Sequence, residues 1–415
     1  MGEPMGEAAS AVRQQSALTP LASGDGRAAR AGRPRLHVLV TVNAAWNIWN
    51  FRRPVIASLL AEGHEVTLLA PPDEWVERLE AMGCRFVALE MDQKGIDPLR
   101  DLALLRRLRM AFRDIRPDVI LSYTIKNNIY GAFAARSAGI PFIPNVSGLG
   151  TAFLSGGTLQ MIAEQLYRRA FGPLPIVLFQ NDEDRDLFVT KRLVRSSQAR
   201  LLPGSGIDLD HFTAAEYPDD EDGPAFLMIA RLLRDKGVHE FVDAAAIVRR
   251  RHPRARFQLL GAVDAENRTA ISRAQISQWT QTHGIEYLGT CDDVRPHIAQ
   301  AHCVVLPSYR EGAPRTLIEA AAMARPLIAT DVPGCRSVVE HGITGLLCEV
   351  RSAESLADAC AAFLDLPQER RAAMGQAGRE KMQREFDQAL VVTAYSNAIR
   401  HAVPSSVTIS EGHVA

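Results

Sequence analysis

Short apolar runs alternate with longer amphipathic stretches through most of the chain. Leu36–Val42, Glu65–Ala70, Arg85–Leu89, Val119–Ser122, Phe142–Val146 and Ile176–Gln180 read as strands, and Phe51–Glu62, Glu74–Met82, Leu99–Ile115 and Ile129–Ala138 as helices between them. Apolar strands alternating with helices predict a parallel sheet covered on both faces. A second series starts at Phe226–Ala230 and runs on through the helix Val238–Arg250 and the strands Arg256–Leu260 and Cys303–Leu306. Two such series predict an α/β chain of two Rossmann-like domains, residues 35–204 and 224–387. The segment 205–223 between them, which turns acidic after G-S-G-I-D-L-D-H-F, suits an exposed hinge. Gln388–Ala402 reads as one further helix, and residues 1–34 and 403–415 as flexible tails.

A length of 415 residues suits two domains, and a formal net charge of −1 argues against a dedicated nucleic-acid binder. The six cysteines show no C-x-x-C or Cys/His ligand spacing, which suits reduced thiols in the cytoplasm. Residues 1–34 lack the apolar core of a signal peptide. The uncharged run Ile140–Ala163 is broken by Pro141, Pro144, Gly148, Gly150, Gly156 and Gly157, so it reads as strand, loop and helix start, and no membrane span is expected.

The chemistry concentrates in Pro307–Glu319, P-S-Y-R-E-G-A-P-R-T-L-I-E, directly after an apolar strand. Glu311 lies in a turn and Glu319 in the helix that follows. Pro314 suits a first helical turn, where its missing N–H loses nothing. A helix N-terminus offers unpaired amides and partial positive charge, so the Gly312–Ala313 amides suit a diphosphate. Arg231 and Lys236, in A-R-L-L-R-D-K-G after the strand Phe226–Ala230, add cations. Taken singly, these two are ordinary solvated surface residues, and the bland alternative for Glu311 is a helix-capping group.

These motifs resemble the retaining glycosyltransferases of family 4, which have the GT-B fold: two Rossmann-like domains facing a central cleft, with a C-terminal helix crossing back to the first domain. Glu311 and Glu319 match the E-x7-E motif, Arg231, Lys236 and Gly237 the diphosphate-binding segment, and Tyr287-Leu288-Gly289 the nucleobase-side loop. Thr330-Asp331-Val332-Pro333-Gly334 and Glu340-His341-Gly342-Ile343-Thr344-Gly345 complete the series. The segments Ser122–Gly131 and Asn145–Gly150 resemble the bacterial branch that elongates polyprenyl-diphosphate-linked saccharides, among them N-acetylgalactosaminyl and other hexosaminyl transferases.

The resemblance implies a metal-independent transferase using a nucleotide-sugar, taken as a UDP-sugar, with no cofactor beyond that substrate and a lipid-linked saccharide as acceptor. It implies catalytic roles for Glu311, Arg231 and Lys236. Donor contacts fall to Glu319, Gly312, Ala313, Pro314, Arg315, Leu288 and Gly289, and acceptor contacts to Asn50, Tyr123, Lys126, Gly148 and Gly150. Transfer is expected by front-face attack, the leaving phosphate oxygen taking the acceptor's proton. No Asp-x-Asp stands at a strand end, and Asp208/Asp210 fall in the linker.

The chain departs from the wider family at Asn43–Asn50, where many members have a glycine-rich loop, at Tyr123 in place of a histidine, and at Gly261-Ala262-Val263, which lacks a second glycine. Trp46 and Asn50 suit acceptor contact or aromatic loop packing, and Lys126 an acceptor phosphate or bulk solvent. In Leu99–Arg116, Leu102, Leu105, Leu108, Phe112 and Ile115 form one stripe, flanked by Arg106, Arg109, Arg113 and Arg116. That is a sheet-packed helix with a solvated edge or, with Arg168 and Arg169, a contact for an anionic membrane. Two rival classes remain: a sugar-nucleotide epimerase of the same two-domain shape, which would convert donor without acceptor, and a non-catalytic sugar-nucleotide-binding scaffold, which would bind without turnover.

Overall fold

The structure is a computed structural model and describes residues 34–92, 97–149, 157–263 and 269–403. The two expected tails lie almost wholly outside these residues. The first sheet is formed by β1 (His37–Thr41), β2 (Glu65–Ala70), β3 (Arg85–Ala88), β4 (Val119–Tyr123), β5 (Phe142–Val146), β6 (Val177–Phe179) and β7 (Ala199–Leu201). The second contains β8 (Ala225–Ile229), β9 (Arg256–Leu260), β10 (Glu286–Tyr287), β11 (Cys303–Leu306), β12 (Leu327–Thr330) and β13 (Gly345–Cys348). Strand orders are β3-β2-β1-β4-β5-β6-β7 and β10-β9-β8-β11-β12-β13, with parallel pairing. Each order reverses direction once, between β1 and β4 and between β8 and β11, and the crevice at such a reversal is where open α/β sheets bind ligands.

Burial explains the parallel arrangement. All five residues of β4, β5 and β8 are buried, as strands covered by helices on both faces must be. Val38 and Val40 of β1 enter one apolar cluster and Leu39 the other, so the two faces of the first sheet have separate cores. The second sheet is flanked in the same way by two clusters.

The helix Gln388–Ala402 places Val391, Tyr395, Ala398 and Ile399 in the first sheet's cluster, against Ile48, Val55 and Ile56. Its start is hydrogen-bonded to the connecting segment: Ile207 N donates to Phe386 O at 2.8 Å, and Gln388 N to Ile207 O at 3.0 Å. Both passages of the chain between the sheets therefore run side by side.

Two local expectations change. The first helix spans Ala45–Ala61, so the Asn43–Asn50 stretch read as loop is mostly helical. The helix Pro98–Ile115 buries Asp101, Leu104, Leu108 and Phe112, whereas Leu102 is 56% exposed. The inward stripe is thus shifted from the expected one. Asp101 is accommodated inside because Lys126 Nζ lies 2.9 Å from Oδ1 and Tyr130 OH donates to Oδ2 at 2.8 Å.

Candidate active site

The segment that carries Glu311 and Glu319 leaves β11 at the reversal point of the second sheet and faces the first sheet. Its helix spans Arg315–Ala322, with Pro314 extended as N-cap. Gly312 meets the first domain closely: Asn181 Nδ2 donates to Gly312 O at 3.2 Å, and a Cβ on Gly312 would collide with the Ser147 carbonyl. Gly148 therefore lies beside this turn, while Gly150 is outside the described residues.

Lys236 closes the 3-10 turn after β8. Gly237 follows at φ 78°, and a Cβ there would strike the Pro307 carbonyl, so glycine lets the lysine's loop press against the β11 loop. Tyr309 N donates to Asp235 O at 2.9 Å across the same junction. Lys236 Nζ consequently reaches Glu311 Oε1 at 2.5 Å, with both side chains mostly buried. Arg231 stands exposed just beyond β8 on the same strand-end surface. Leu288 and Gly289 follow β10, held by Leu288 N to Leu259 O and Gly261 N to Gly289 O, each 2.8 Å.

Glu319 is 7% exposed and accepts from Arg315 Nε at 2.6 Å. Burial raises its carboxyl pKa, and the Arg315 guanidinium opposes that shift. Beside this pair a cavity of about 730 Å3 opens between the domains, walled by Trp46, Trp49 and Trp75 on one side and Asp293, Arg315 and Glu319 on the other. Among the described residues no group of three or more His, Cys, Asp or Glu gathers as a metal site.

Three residues expected on the acceptor side have other partners. Tyr123 is 1% exposed, lies under the Arg52 guanidinium 4.0 Å from its ring centre, and packs on Tyr395. A ring without surface offers nothing to an acceptor; it anchors the last helix. Lys126 is held by Asp101, as above. Asn50 uses its side chain on Trp46 O at 2.9 Å, and its carbonyl accepts from Arg315 Nη1 at 2.8 Å.

The first sheet's crevice also holds a buried network, drawn largely from the quoted segments Ser122–Gly131 and Asn145–Gly150, whose bonding the motifs did not foretell. Thr41 Oγ1 donates to Leu69 O, Asn127 Nδ2 to Thr41 Oγ1 and Thr124 Oγ1 to Asn127 Oδ1. Asn128 Nδ2 donates to Asn145 O, and Asn145 Nδ2 to Tyr395 OH. Thr124, at φ 67°, holds a conformation unusual for a β-branched residue, right where β4 ends. The sequence signals for this network were those two motif segments and the polar residues set inside apolar strand and helix faces.

At the far end of the cleft Arg310 Nη2 donates to Asp184 Oδ1 at 2.6 Å, and Arg336 reaches Glu183 Oε1 at 2.5 Å. Burial raises the Asp184 pKa, against opposing bonds from Asn181 and Arg310.

Two Rossmann-like domains facing one cleft are the GT-B arrangement. Residues 212–381 match the family described as Glycosyl transferases group 1, and residues 48–205 the Glycosyl transferase 4-like domain. Both halves of the chain thus carry glycosyltransferase domains, an arrangement consistent with a GT-B glycosyltransferase of the family 4 type. It is 25% identical over 369 residues to the N,N'-diacetylbacillosaminyl-diphospho-undecaprenol alpha-1,3-N-acetylgalactosaminyltransferase of Campylobacter jejuni, covering 85% of this chain and 95% of that one. It is 24% identical to the UDP-Gal:alpha-D-GlcNAc-diphosphoundecaprenol alpha-1,3-galactosyltransferase of Escherichia coli, over 66% of this chain and 73% of that one. The fold matches Anabaena HepE, solved in complex with UDP-glucose, with a TM-score of 0.72 at 17% identity, over 88% of this chain and 99% of that one.

Proposed function

We propose that this enzyme moves a hexosyl group, an N-acetylhexosamine in the favoured reading, from a UDP-sugar to a polyprenyl-diphosphate-linked saccharide, with retention and without a metal. The observation that carries the reading is the pairing of each motif glutamate with a cation at the mouth of the cleft: Glu311 with Lys236 and Glu319 with Arg315. Two relatives whose names specify diphosphoundecaprenol acceptors support the acceptor class.

In this scheme the donor diphosphate lies against Arg231, Lys236 and the amides leading into the helix at Arg315. Those groups stabilise the charge that grows on the leaving phosphate, and preorganised charge stabilisation of this kind is usually the main source of rate enhancement. A diphosphate competes with Glu311 for Lys236, which frees Glu311 to meet the donor sugar. Glu319 accepts from ribose hydroxyls, and Leu288 and Gly289 border the base. The acceptor hydroxyl attacks the anomeric carbon from the face the leaving group departs. The bond to phosphate oxygen breaks, the new glycosidic bond forms, and the hydroxyl proton passes to that phosphate oxygen. Positive side chains and amides supply the charge stabilisation that a divalent ion supplies in metal-dependent transferases.

The same reading requires contact with a membrane surface, and the helices Pro98–Ile115 and Gly157–Phe171 offer one. Leu99, Leu102, Met110, Met161 and Ile162 are exposed on them, with Arg106, Arg113 and Arg169 also exposed. Apolar tips among arginines suit the interface of an anionic bilayer. No helix among the described residues is long and apolar enough to cross a membrane.

The test is nucleotide release from UDP-, GDP- and ADP-sugars, with and without membrane extract containing lipid-linked acceptors. The reading expects acceptor-dependent release from a UDP-sugar, unaffected by EDTA and lost in Glu319→Ala. Donor conversion without acceptor would support an epimerase instead.

A further inference from the structure

The helix Ala45–Ala61 carries Pro54 in its interior. Proline has no N–H for the carbonyl four residues earlier, so Asn50 O lacks its helical partner. Arg315 takes that position from the opposite side of the cleft, donating from Nη1 at 2.8 Å. The same guanidinium donates from Nε to Glu319 Oε1 at 2.6 Å, lies 3.4 Å from Ser205 Oγ and sits 5.3 Å from the Phe51 ring centre. One side chain thus joins the carboxylate assigned to the ribose, the first domain's leading helix and the connecting segment.

We infer that Arg315 is a positioning residue that makes ribose recognition by Glu319 conditional on seating of the helix Ala45–Ala61. This rests on the reading of Glu319 as the ribose carboxylate. Arg315 occupies one carboxylate oxygen and leaves the other for a ribose hydroxyl. Its charge also favours the ionised, acceptor-only form of a buried acid, against burial, which favours the neutral one. The bond to Asn50 O fixes the guanidinium plane, and that bond exists only when the two domains are closed on each other. A planar fork serves two acceptors at fixed angles, which an ammonium group does not reproduce. Pro54 is the sequence feature that leaves the docking carbonyl available.

The experiment is steady-state kinetics on the full chain, with the donor named by the screen above, across about pH 5 to 9. Arg315→Ala is expected to raise donor KM by about 10-fold, the scale of one lost charged hydrogen bond. It should also move the acid limb of kcat/KM towards neutral pH. Arg315→Lys should restore the limb but not KM. Pro54→Ala, whose new N–H competes for Asn50 O, should raise donor KM by roughly 2-fold to 3-fold and leave the limb unchanged. It provides an independent check should Arg315→Ala fold poorly. If Arg315→Ala lowers the melting temperature while donor KM and the acid limb stay in place, the side chain is only structural and the inference falls. If Glu319→Gln leaves donor KM unchanged, the ribose reading falls and takes the inference with it.

Discussion

The two walls of the cleft are built differently. On the second domain each candidate group sits on the segment that directly follows a strand: Arg231 and Lys236 after β8, Leu288 and Gly289 after β10, Glu311 and Glu319 in the loop and helix after β11. On the first domain the polar groups are assembled from distant segments, and Asn145 and Tyr395, which share a hydrogen bond, are 250 residues apart. The wall proposed for the donor depends on local loop geometry. The wall proposed for the acceptor depends on tertiary packing that brings β1, the helix after β4, β5 and the last helix together. Changes on the donor wall should therefore act on chemistry with little effect on folding, whereas changes in the acceptor-wall network should act first on stability.

The largest effect expected is from Lys236→Ala, a loss of about 100-fold to 1000-fold in kcat/KM, the scale of removing one preorganised charge-stabilising group. Its melting temperature should fall less than that of a variant in the acceptor-wall network, because the mostly buried pair still meets solvent at the cleft, with side chains 22% and 12% exposed. A large fall in melting temperature would erase the proposed contrast between the walls.

Membrane contact comes next. Arg106→Glu with Arg113→Glu should weaken flotation with anionic liposomes by about 10-fold or more, since each arginine near such a surface is worth about 1 kcal/mol. Equal flotation with neutral vesicles would rule out an electrostatic docking surface.

Asn145→Ala tests the acceptor-wall network. It leaves Tyr395 OH without its buried partner and should lower stability by about 1 to 3 kcal/mol in denaturant unfolding, with donor KM unchanged. An altered donor KM with unchanged stability would reverse the assignment of the two walls.

The smallest effect belongs to Asp184. Its folded pKa is raised above the unfolded value, so below the unfolded pKa its neutral form carries no penalty, and the ionised form becomes a net cost as pH rises through the folded pKa. Asp184→Asn should therefore change stability at neutral pH by less than about 1 kcal/mol, in the stabilising direction. The wild type should recover relative to the variant as pH falls. Thermal unfolding against pH measures this, and a variant less stable at neutral pH would show the bond to Arg310 outweighing burial.

This difference between walls also decides what the sequence made legible. The alternation of apolar runs and helices specified two parallel sheets because fully buried strands cannot be mistaken for half-exposed ones. The spacing around Glu311 and Glu319 placed a strand, a turn and a helix start in the right order because the three are contiguous. The acceptor wall was only partly legible. Tyr123 and Lys126 were nominated from their place after β4, but position along a strand does not say which face a side chain takes. Tyr123 turns into the core under Arg52, and Lys126 turns to Asp101. The helix Pro98–Ile115 shows the same limit: Leu102, placed on the inward stripe, is exposed, and Asp101 is buried by partners on another helix. Arg315 was placed at the donor, but its bond to Asn50 depends on Pro54 in the first domain's leading helix, a relation no local spacing expresses.

The decisive experiment is transfer of a labelled sugar from the UDP-donor to a purified prenyl-diphosphate-linked saccharide, in the presence of EDTA, with the anomeric configuration of the product read by NMR. A retaining, metal-independent transferase yields label in the lipid-linked product with the donor's α configuration kept, and no transfer by Lys236→Ala. An inverted product, or transfer only when a divalent metal is restored, would contradict that assignment.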